Sequence, residues 1–166
     1  LKIILFSHNF HNFKKILINN NFSTDQEILK FLFDITNGSP GLSYELNFES
    51  ILEIFDQLIN SIIDNDPFSQ LHNSLVDLLC SFDNEKFKVH LTLIKFILIF
   101  FKKVKMGIEL KENYLSKNVL KIENLSNNLS FENIDNKYDY LINNQNDLFT
   151  FNLDRRIFMI NFFAIN

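Results

Sequence analysis

The chain has 166 residues, of which 46% are hydrophobic and 22% are charged, and its formal net charge is -4. These values are typical of one globular domain, or of a large and a small module, and they exclude a disordered chain. The acidic balance argues against nucleic-acid binding through the chain's own charge, and three glycines with two prolines leave few residues for the tight turns of a sheet-rich fold.

The N-terminal segment predicts a strand followed by a helix. Lys2–Phe6 is short, apolar and rich in β-branched residues, which is typical of a β-strand. Apolar residues then recur at helical spacing from Phe10 to Leu17, and the asparagines at 19–21 end this helix. The rest of the chain offers no obvious partner strand, so a sheet is expected upstream of Leu1.

Two joints define the next two short helices. Ser23 and Gln26 have the spacing of a capping box, in which each residue's side chain accepts from the other's backbone amide. Asn37-Gly38 ends that second helix. Ser39-Pro40 then starts a third helix, with serine as the N-cap and proline at the first helical position, where its missing N–H removes no hydrogen bond.

Residues 48–166 predict five helices. The first starts at Phe48 and is ended by Asp66-Pro67, because the residue before a proline avoids the helical region. The others cover residues 68–82, 84–105, 131–142 and a last segment that starts near Asn152. Residues 107–130 are polar, and only weak periodicity indicates a helix there. The 84–105 helix has a narrow polar stripe, which we interpret as solvated, formed by Lys88, Thr92, Lys95 and Lys102. The last helix is apolar almost all round, which predicts a central position or burial against another chain.

The sequence has no cluster of residues typical of an enzyme. No phosphate-binding G-x-x-x-x-G-K-[ST] run is present. His8 and His11 are three residues apart, but zinc needs three or four ligands, so capping or surface roles are favoured for this pair. Cys80 lies in an apolar context that predicts a buried, inert thiol. We therefore expect no catalytic residues, no metal and no cofactor.

The sequence also favours a cytoplasmic location. The most apolar run, Val89–Phe101, is interrupted by His90 and Lys95 and is shorter than the roughly 20 residues of a membrane span, so it predicts a buried helix. A single cysteine allows no disulfide within the chain and suits a reducing compartment. No cleavable signal peptide is evident at the N-terminus.

Four segments together resemble one family. The opening LKIILFSHNFHNFKKIL, the turn Asn37–Leu42, the amphipathic stretch Phe48–Phe101 and the closing run Asn152–Arg156 follow one another in the order found in delta-prime subunits of the bacterial DNA polymerase III clamp loader. The turn is similar to that family's G-S-P-G element, and the closing run is similar to its final collar helix. Residues 107–150 resemble nothing sharply.

The resemblance implies an all-α chain in two parts. Residues 1–47 would form a three-helix AAA+ lid-like module, and residues 48–166 would form a five-helix collar domain that assembles the complex. The lid turn would be Gly38, Ser39, Pro40 and Gly41. The subunit interface would include Asn152, Leu153, Asp154, Arg155 and Arg156. The family's nucleotide-binding domain would precede Leu1, so the chain is expected to be a fragment or a truncated subunit.

The resemblance also implies a role without catalysis. Related ATPase subunits carry a phosphate-sensing arginine at the position of Gly41, and a glycine has no guanidinium to reach a phosphate. The chain would not be an enzyme by itself but part of a DNA polymerase holoenzyme. Its partners would be ATPase gamma/tau-like and delta-like subunits. DNA would be met only through the complex that loads the sliding clamp on primed DNA, with neither a membrane nor a small-molecule substrate.

Three other interpretations stay open. The chain could be the lid and helical tail of another AAA+ protein, which an arginine at the position of Gly41 would have favoured. It could be a helical scaffold with an unrelated partner. A helical hydrolase is the third, and convergent carboxylates in a deep polar pocket would favour it.

Overall fold

A computed structural model of the chain describes residues 9–20, 22, 25–46, 48–64, 70–109 and 116–165. Every regular element in these ranges is helical, which confirms the all-α class. The chain divides into two compact units between Ile51 and Leu52. The predicted strand Lys2–Phe6 lies outside the described residues.

The first unit contains three short helices: α1 (Phe10–Asn19), α2 (Gln26–Ile35) and α3 (Pro40–Glu45). Each helix packs on the other two. Phe13 and Leu17 of α1 are fully buried, because apolar residues four apart share one helix face. The ring of Phe33 on α2 meets the rings of Phe10 and Phe13 edge-on, at 5.4 and 5.3 Å. Aromatic edge contacts therefore join α1 to α2.

The cap of α2 differs from the prediction. The expected capping box, with Ser23 as the cap, is wrong, since the N-cap is Asp25 and Gln26 is the first helical residue. The carboxylate of Asp25 accepts the backbone N–H groups of Glu27 and Ile28, at 2.9 and 3.2 Å. A carboxylate suits this place because it satisfies two free amides and faces the positive end of the helix dipole.

Six further helices follow in the described residues, one more than the five predicted for this part of the chain. They are α4 (Phe48–Ile63), α5 (Gln70–Ser81), α6 (Asn84–Lys105), α7 (Ser116–Leu125), α8 (Phe131–Thr150) and α9 (Arg155–Ala164). The additional helix is α7, which buries Val119 and Ile122 and continues into a 3₁₀ turn at Ser126–Asn128. These two residues are three apart and therefore share one face of the helix.

Helix α6 is the centre of the second unit. Ten of its 22 residues are buried, and it packs on α5, α7 and α8. It begins where the carboxylate of Asp83 accepts the N–H of Lys86 at 2.9 Å. Its last helical residue is Lys105. Gly107 follows with a left-handed φ of 71°, and the N–H of Ile108 reaches back to the Lys103 carbonyl at 2.9 Å. An αL residue after the last turn is a common way to end a helix.

The polar stripe of α6, which we had expected to be solvated, is half-buried along α8. We call this row of contacts the α6–α8 seam. Lys88 lies over the Phe149 ring at 5.1 Å, and Lys102 lies over the Tyr138 ring at 4.7 Å. Between them, Lys95 donates to the side-chain carbonyl of Gln145. Lys102 also forms an ion pair with Asp135, and Thr92 donates back to the Lys88 carbonyl at 3.0 Å. The stripe therefore belongs to the helix packing.

Candidate interaction surface

A sharp turn separates α8 from α9. Asn152 takes a φ of 50°, and the N–H of Leu153 reaches back to the Leu148 carbonyl at 3.0 Å. Asparagine tolerates left-handed backbone better than most residues do. Asp154 then caps α9, since its carboxylate accepts the N–H of Ile157 at 3.0 Å. The last helix was expected near Asn152 but begins at Arg155, because a residue with positive φ cannot continue a right-handed helix.

Helix α9 buries one side and leaves the other side uncovered by the described residues. The buried side packs on α5 and α8 through Phe158, Met159, Phe162 and Phe163. On the opposite side, Leu153 is 48% exposed and Ile157 is 59% exposed. Ile160 is half-buried and Ala164 is exposed on the same side. We call Leu153, Ile157, Ile160 and Ala164 the α9 face. The described residues therefore do not bury this helix all round.

The α9 face borders an open groove of about 380 Å³ between α8 and α9. Its lining residues are Tyr140, Asn144, Leu153, Asp154, Ile157, Phe158 and Asn161. The Tyr140 hydroxyl donates to the Phe158 carbonyl at 3.1 Å, which ties the floor of the groove to α9. Burial raises the pKa of Tyr140, so its hydroxyl keeps its proton at neutral pH. The groove combines an apolar rim with a few polar groups, a composition typical of protein-binding surfaces.

Arg155 fixes the N-terminal end of α9 to the turn between α5 and α6. Its guanidinium donates to the Phe82 carbonyl at 2.6 Å and to the side-chain carbonyl of Asn84. The same group lies over the Phe87 ring, 4.8 Å from its centre. Arginine suits this position because its fork can serve two acceptors while its plane stacks on an aromatic ring.

Lys137 fixes the C-terminal end of α9 and is fully buried. Its ammonium donates to the carbonyls of Phe162 and Phe163, at 3.3 and 3.1 Å, and lies 5.4 Å from the centre of the Phe162 ring. A cation is favourable at the negative end of a helix dipole. No carboxylate among the described residues pairs with it, and burial lowers the pKa of Lys137 to about 8.

The other residues of the predicted interface have different environments. Arg156 is exposed and forms an ion pair with Asp77 of α5, and Asn152 is exposed in the turn. Arg155 and Arg156 are thus neighbours in sequence but contact different elements of the same chain. Cys80 is half-buried, and burial raises the pKa of its thiol, which disfavours the reactive thiolate.

The predicted lid turn belongs to the first unit. Asn37 and Gly38 both have positive φ, at 50° and 74°, and the N–H of Gly38 returns to the Phe33 carbonyl at 2.8 Å. Ser39 is the N-cap of α3 and Pro40 is its first residue, as predicted. Gly41 is exposed, and open space surrounds the position that a Cβ would take.

Replacing Gly41 with alanine should raise the free energy of unfolding by about 0.5 kcal/mol, because alanine fits a helix and restricts the unfolded chain. The matched variant Gly107→Ala should lower it by about 1 kcal/mol, since its φ of 71° strains any L side chain despite equally open space. Urea denaturation of the full chain compares them. A loss of stability in Gly41→Ala would contradict the open environment assigned to that position.

The described histidines have structural contacts. His72 is buried, its Nε2 lies 2.8 Å from the Ser61 carbonyl, and its ring stacks on Phe163. His90 stacks on Phe82, and burial lowers its pKa. His11 is exposed, and His8 lies outside the described residues. Among the residues that the structure describes, no three histidine, cysteine or carboxylate groups are close enough to share a metal ion.

Sequence reasoning missed Lys137. The available signal was its register, because it lies three residues after Ile134 and four before Leu141, both of which are fully buried. A lysine at such a position needs carbonyl partners, and only the folded chain shows that the end of α9 supplies them.

In the described part of the chain, no helix has both the length and the hydropathy needed to cross a bilayer. Comparison with known protein families, with curated proteins and with solved structures found no match in any of the three. The functional interpretation therefore depends on the sequence resemblance and on the chemistry of the α8–α9 groove.

Proposed function

We propose that the chain is a non-catalytic clamp-loader subunit of the delta-prime type, in a cytoplasmic bacterial DNA polymerase III holoenzyme. Its second unit would serve as the collar that assembles with ATPase gamma/tau-like and delta-like subunits. The complex would load the sliding clamp on primed DNA, and this chain would meet DNA only through the complex. No small-molecule substrate, cofactor or membrane enters the proposal.

The observation that carries the proposal is the uncovered α9 face. Leu153 and Ile157 expose about half of their side chains beside an open groove, although the opposite side of the same helix is fully packed. Monomeric proteins rarely expose large contiguous apolar patches, so such a patch marks an interaction site. In the proposed collar, a helix of a neighbouring subunit would cover this face.

The anchoring of α9 supports the same conclusion. Arg155 holds one end of the helix and Lys137 holds the other, so the α9 face is presented on a fixed element. A surface that is already ordered loses less conformational entropy when a partner binds. Gly41 adds support from the first unit, because the residue that would sense a phosphate in an ATPase subunit has no side chain here.

Co-purification tests the proposal directly. The full chain, mixed at micromolar concentration with ATPase and delta-type clamp-loader subunits, should elute with them in size-exclusion chromatography. Failure to form a complex with either subunit would overturn it. Capture of a replication-unrelated helical protein by the same surface would instead favour the second interpretation, a helical scaffold with an unrelated partner.

Replacing Ile157 with glutamate should weaken that complex at least about 30-fold, because it buries a charge in the middle of the apolar contact. Isothermal titration calorimetry with the purified subunits measures the change. Leu120→Glu is the matched control, since Leu120 is also 59% exposed but lies on α7. Equal weakening by both variants would show that the loss does not come from the α9 face.

A further inference from the structure

We propose that the α8–α9 groove binds a basic amphipathic helix, with apolar residues on the α9 face and a lysine or arginine directed at Asp154. The proposal rests on the proposed function in one respect, that the α9 face is a protein interface, and it adds the chemistry of the partner. Neither the sequence resemblance nor the fold assigns this specificity.

The apolar part of the groove lies at the start of α9. Leu153 precedes the helix and Ile157 lies in its first turn, and both line the groove. Ile160 continues the side of Ile157 by almost one turn. Two neighbouring exposed apolar side chains leave a hollow that residues four apart on a second helix can fill. At 1.5 Å per residue, the ten residues of α9 offer a length of roughly 15 Å, enough for about three turns of a partner helix.

The charged group in the lining of the groove is acidic. Asp154 is the one charged residue among those that line the groove in the described structure. The guanidinium groups of the two arginines that follow it bond other partners, since Arg155 donates to the α5–α6 turn and Arg156 pairs with Asp77. A carboxylate at the rim of an apolar contact attracts a cation of the partner and disfavours an acidic one. Charge complementarity therefore selects a basic helix over an acidic one.

Two asparagines add polar groups to the lining of the groove. Asn144 and Asn161 lie on the two sides of the groove, one on α8 and one on α9. Asn144 already donates to the Tyr140 carbonyl at 2.8 Å, and Asn161 bonds the Tyr140 side chain. The remaining donor and acceptor positions of the two amides can bond flanking polar side chains of a helix. The Tyr140 hydroxyl already donates to the Phe158 carbonyl, so it supports the floor and does not need the partner.

Two synthetic helical peptides, each about 16 residues long so that helicity is maintained, test the proposal with the full chain. Both carry leucines four apart. One has lysines beside the apolar stripe, and the other has glutamates at the same positions. Fluorescence anisotropy should show about fivefold tighter binding of the lysine peptide, the factor expected for one exposed ion pair. Equal affinity of the two peptides, or no binding of either, would overturn the proposal.

Variants separate the groove from the general acidity of the chain. Asp154→Asn keeps an N-cap side chain on α9 and removes the charge, so it should abolish most of the preference for lysine. Asp139→Asn, an exposed change elsewhere on α8, should leave the preference intact. Equal effects of these two variants would also overturn the proposal, because the preference would then reflect net charge alone.

The outcomes distinguish this inference from the proposed function. Lysine-peptide binding without clamp-loader co-purification would leave the groove specificity standing and remove the replication role. Clamp-loader co-purification without the peptide preference would support the replication role and overturn the groove specificity. A dimer in sedimentation velocity that Ile157→Glu dissociates would identify a second copy of the chain as the occupant and would also overturn the inference.

Discussion

Replacing Arg155 with alanine should lower the free energy of unfolding of the second unit by about 2–3 kcal/mol, the sum of a charged hydrogen bond and a cation–π contact. The guanidinium serves the Phe82 carbonyl, the Asn84 side chain and the Phe87 ring together. Its loss would leave the Phe82 carbonyl without this donor and release the first turn of α9. Urea denaturation of the full chain, followed by circular dichroism, measures the change.

The neighbouring arginine is the control. Arg156→Ala removes an exposed ion pair with Asp77, and such pairs are worth less than about 1 kcal/mol. Arg155→Lys should recover less than half of the loss, since an ammonium cannot reproduce the fork that serves both acceptors. Similar losses in Arg155→Ala and Arg156→Ala would refute the role assigned to Arg155 at the α5–α6 turn.

Raising the pH from 8 to 10.5 should stabilise the chain relative to a Lys137→Met variant, by at most about 3 kcal/mol. The pKa of Lys137 is lowered by burial from 10.5 to about 8 in the folded chain. Between these two values the unfolded chain binds more protons than the folded chain, so the unfolding free energy rises with pH. The neutral amine still carries N–H donors for the two carbonyls of α9. Its deprotonation removes the cost of burying a charge, which outweighs the favourable contacts of the cation with the helix dipole and the Phe162 ring.

Chemical denaturation at pH 7.5 and at pH 10 measures this difference. Other groups also titrate in that interval, so the informative quantity is the pH dependence of the wild-type chain minus that of Lys137→Met. Lys15→Met, a change on the exposed side of α1, should retain the wild-type dependence. If Lys137→Met kept it too, the ammonium would not be buried in the way described.

Helix boundaries were predictable where local chemistry and packing agree. The bounds of α6, Asn84 and Lys105, and the start of α4 at Phe48 were predicted to the residue, because a cap or an apolar period defines each of them. The end of α4 was expected at Asp66-Pro67, but the helix ends at Ile63. The start of α3 was predictable for the same reason, since Ser39 and Pro40 act within a few residues of backbone.

Features that depend on distant parts of the chain were not predictable. The start of α9 was placed three residues too early, because apolar periodicity does not reveal that Asn152 adopts positive φ. Partners for Lys137 and Arg155 lie 25 and 73 residues away in sequence, so local patterns carry no information about them. Apolar residues lie almost all round the last helix, so the sequence could not indicate which side is exposed. The packed structure shows that the α9 face is the uncovered side.

The α6–α8 seam has a consequence for the axial register of the two helices. Apolar faces as continuous as those of α6 would allow a neighbouring helix to slide by one turn, about 5.4 Å, with little change in burial. Lys88, Lys95 and Lys102 are spaced seven residues apart, and their contacts run in reverse order along α8. A one-turn slip would separate all three lysines from their contacts at once, so the lysines select a single alignment. That alignment fixes the axial position of α8 relative to α6. It therefore also fixes the position of the turn at Asn152, after which α9 begins.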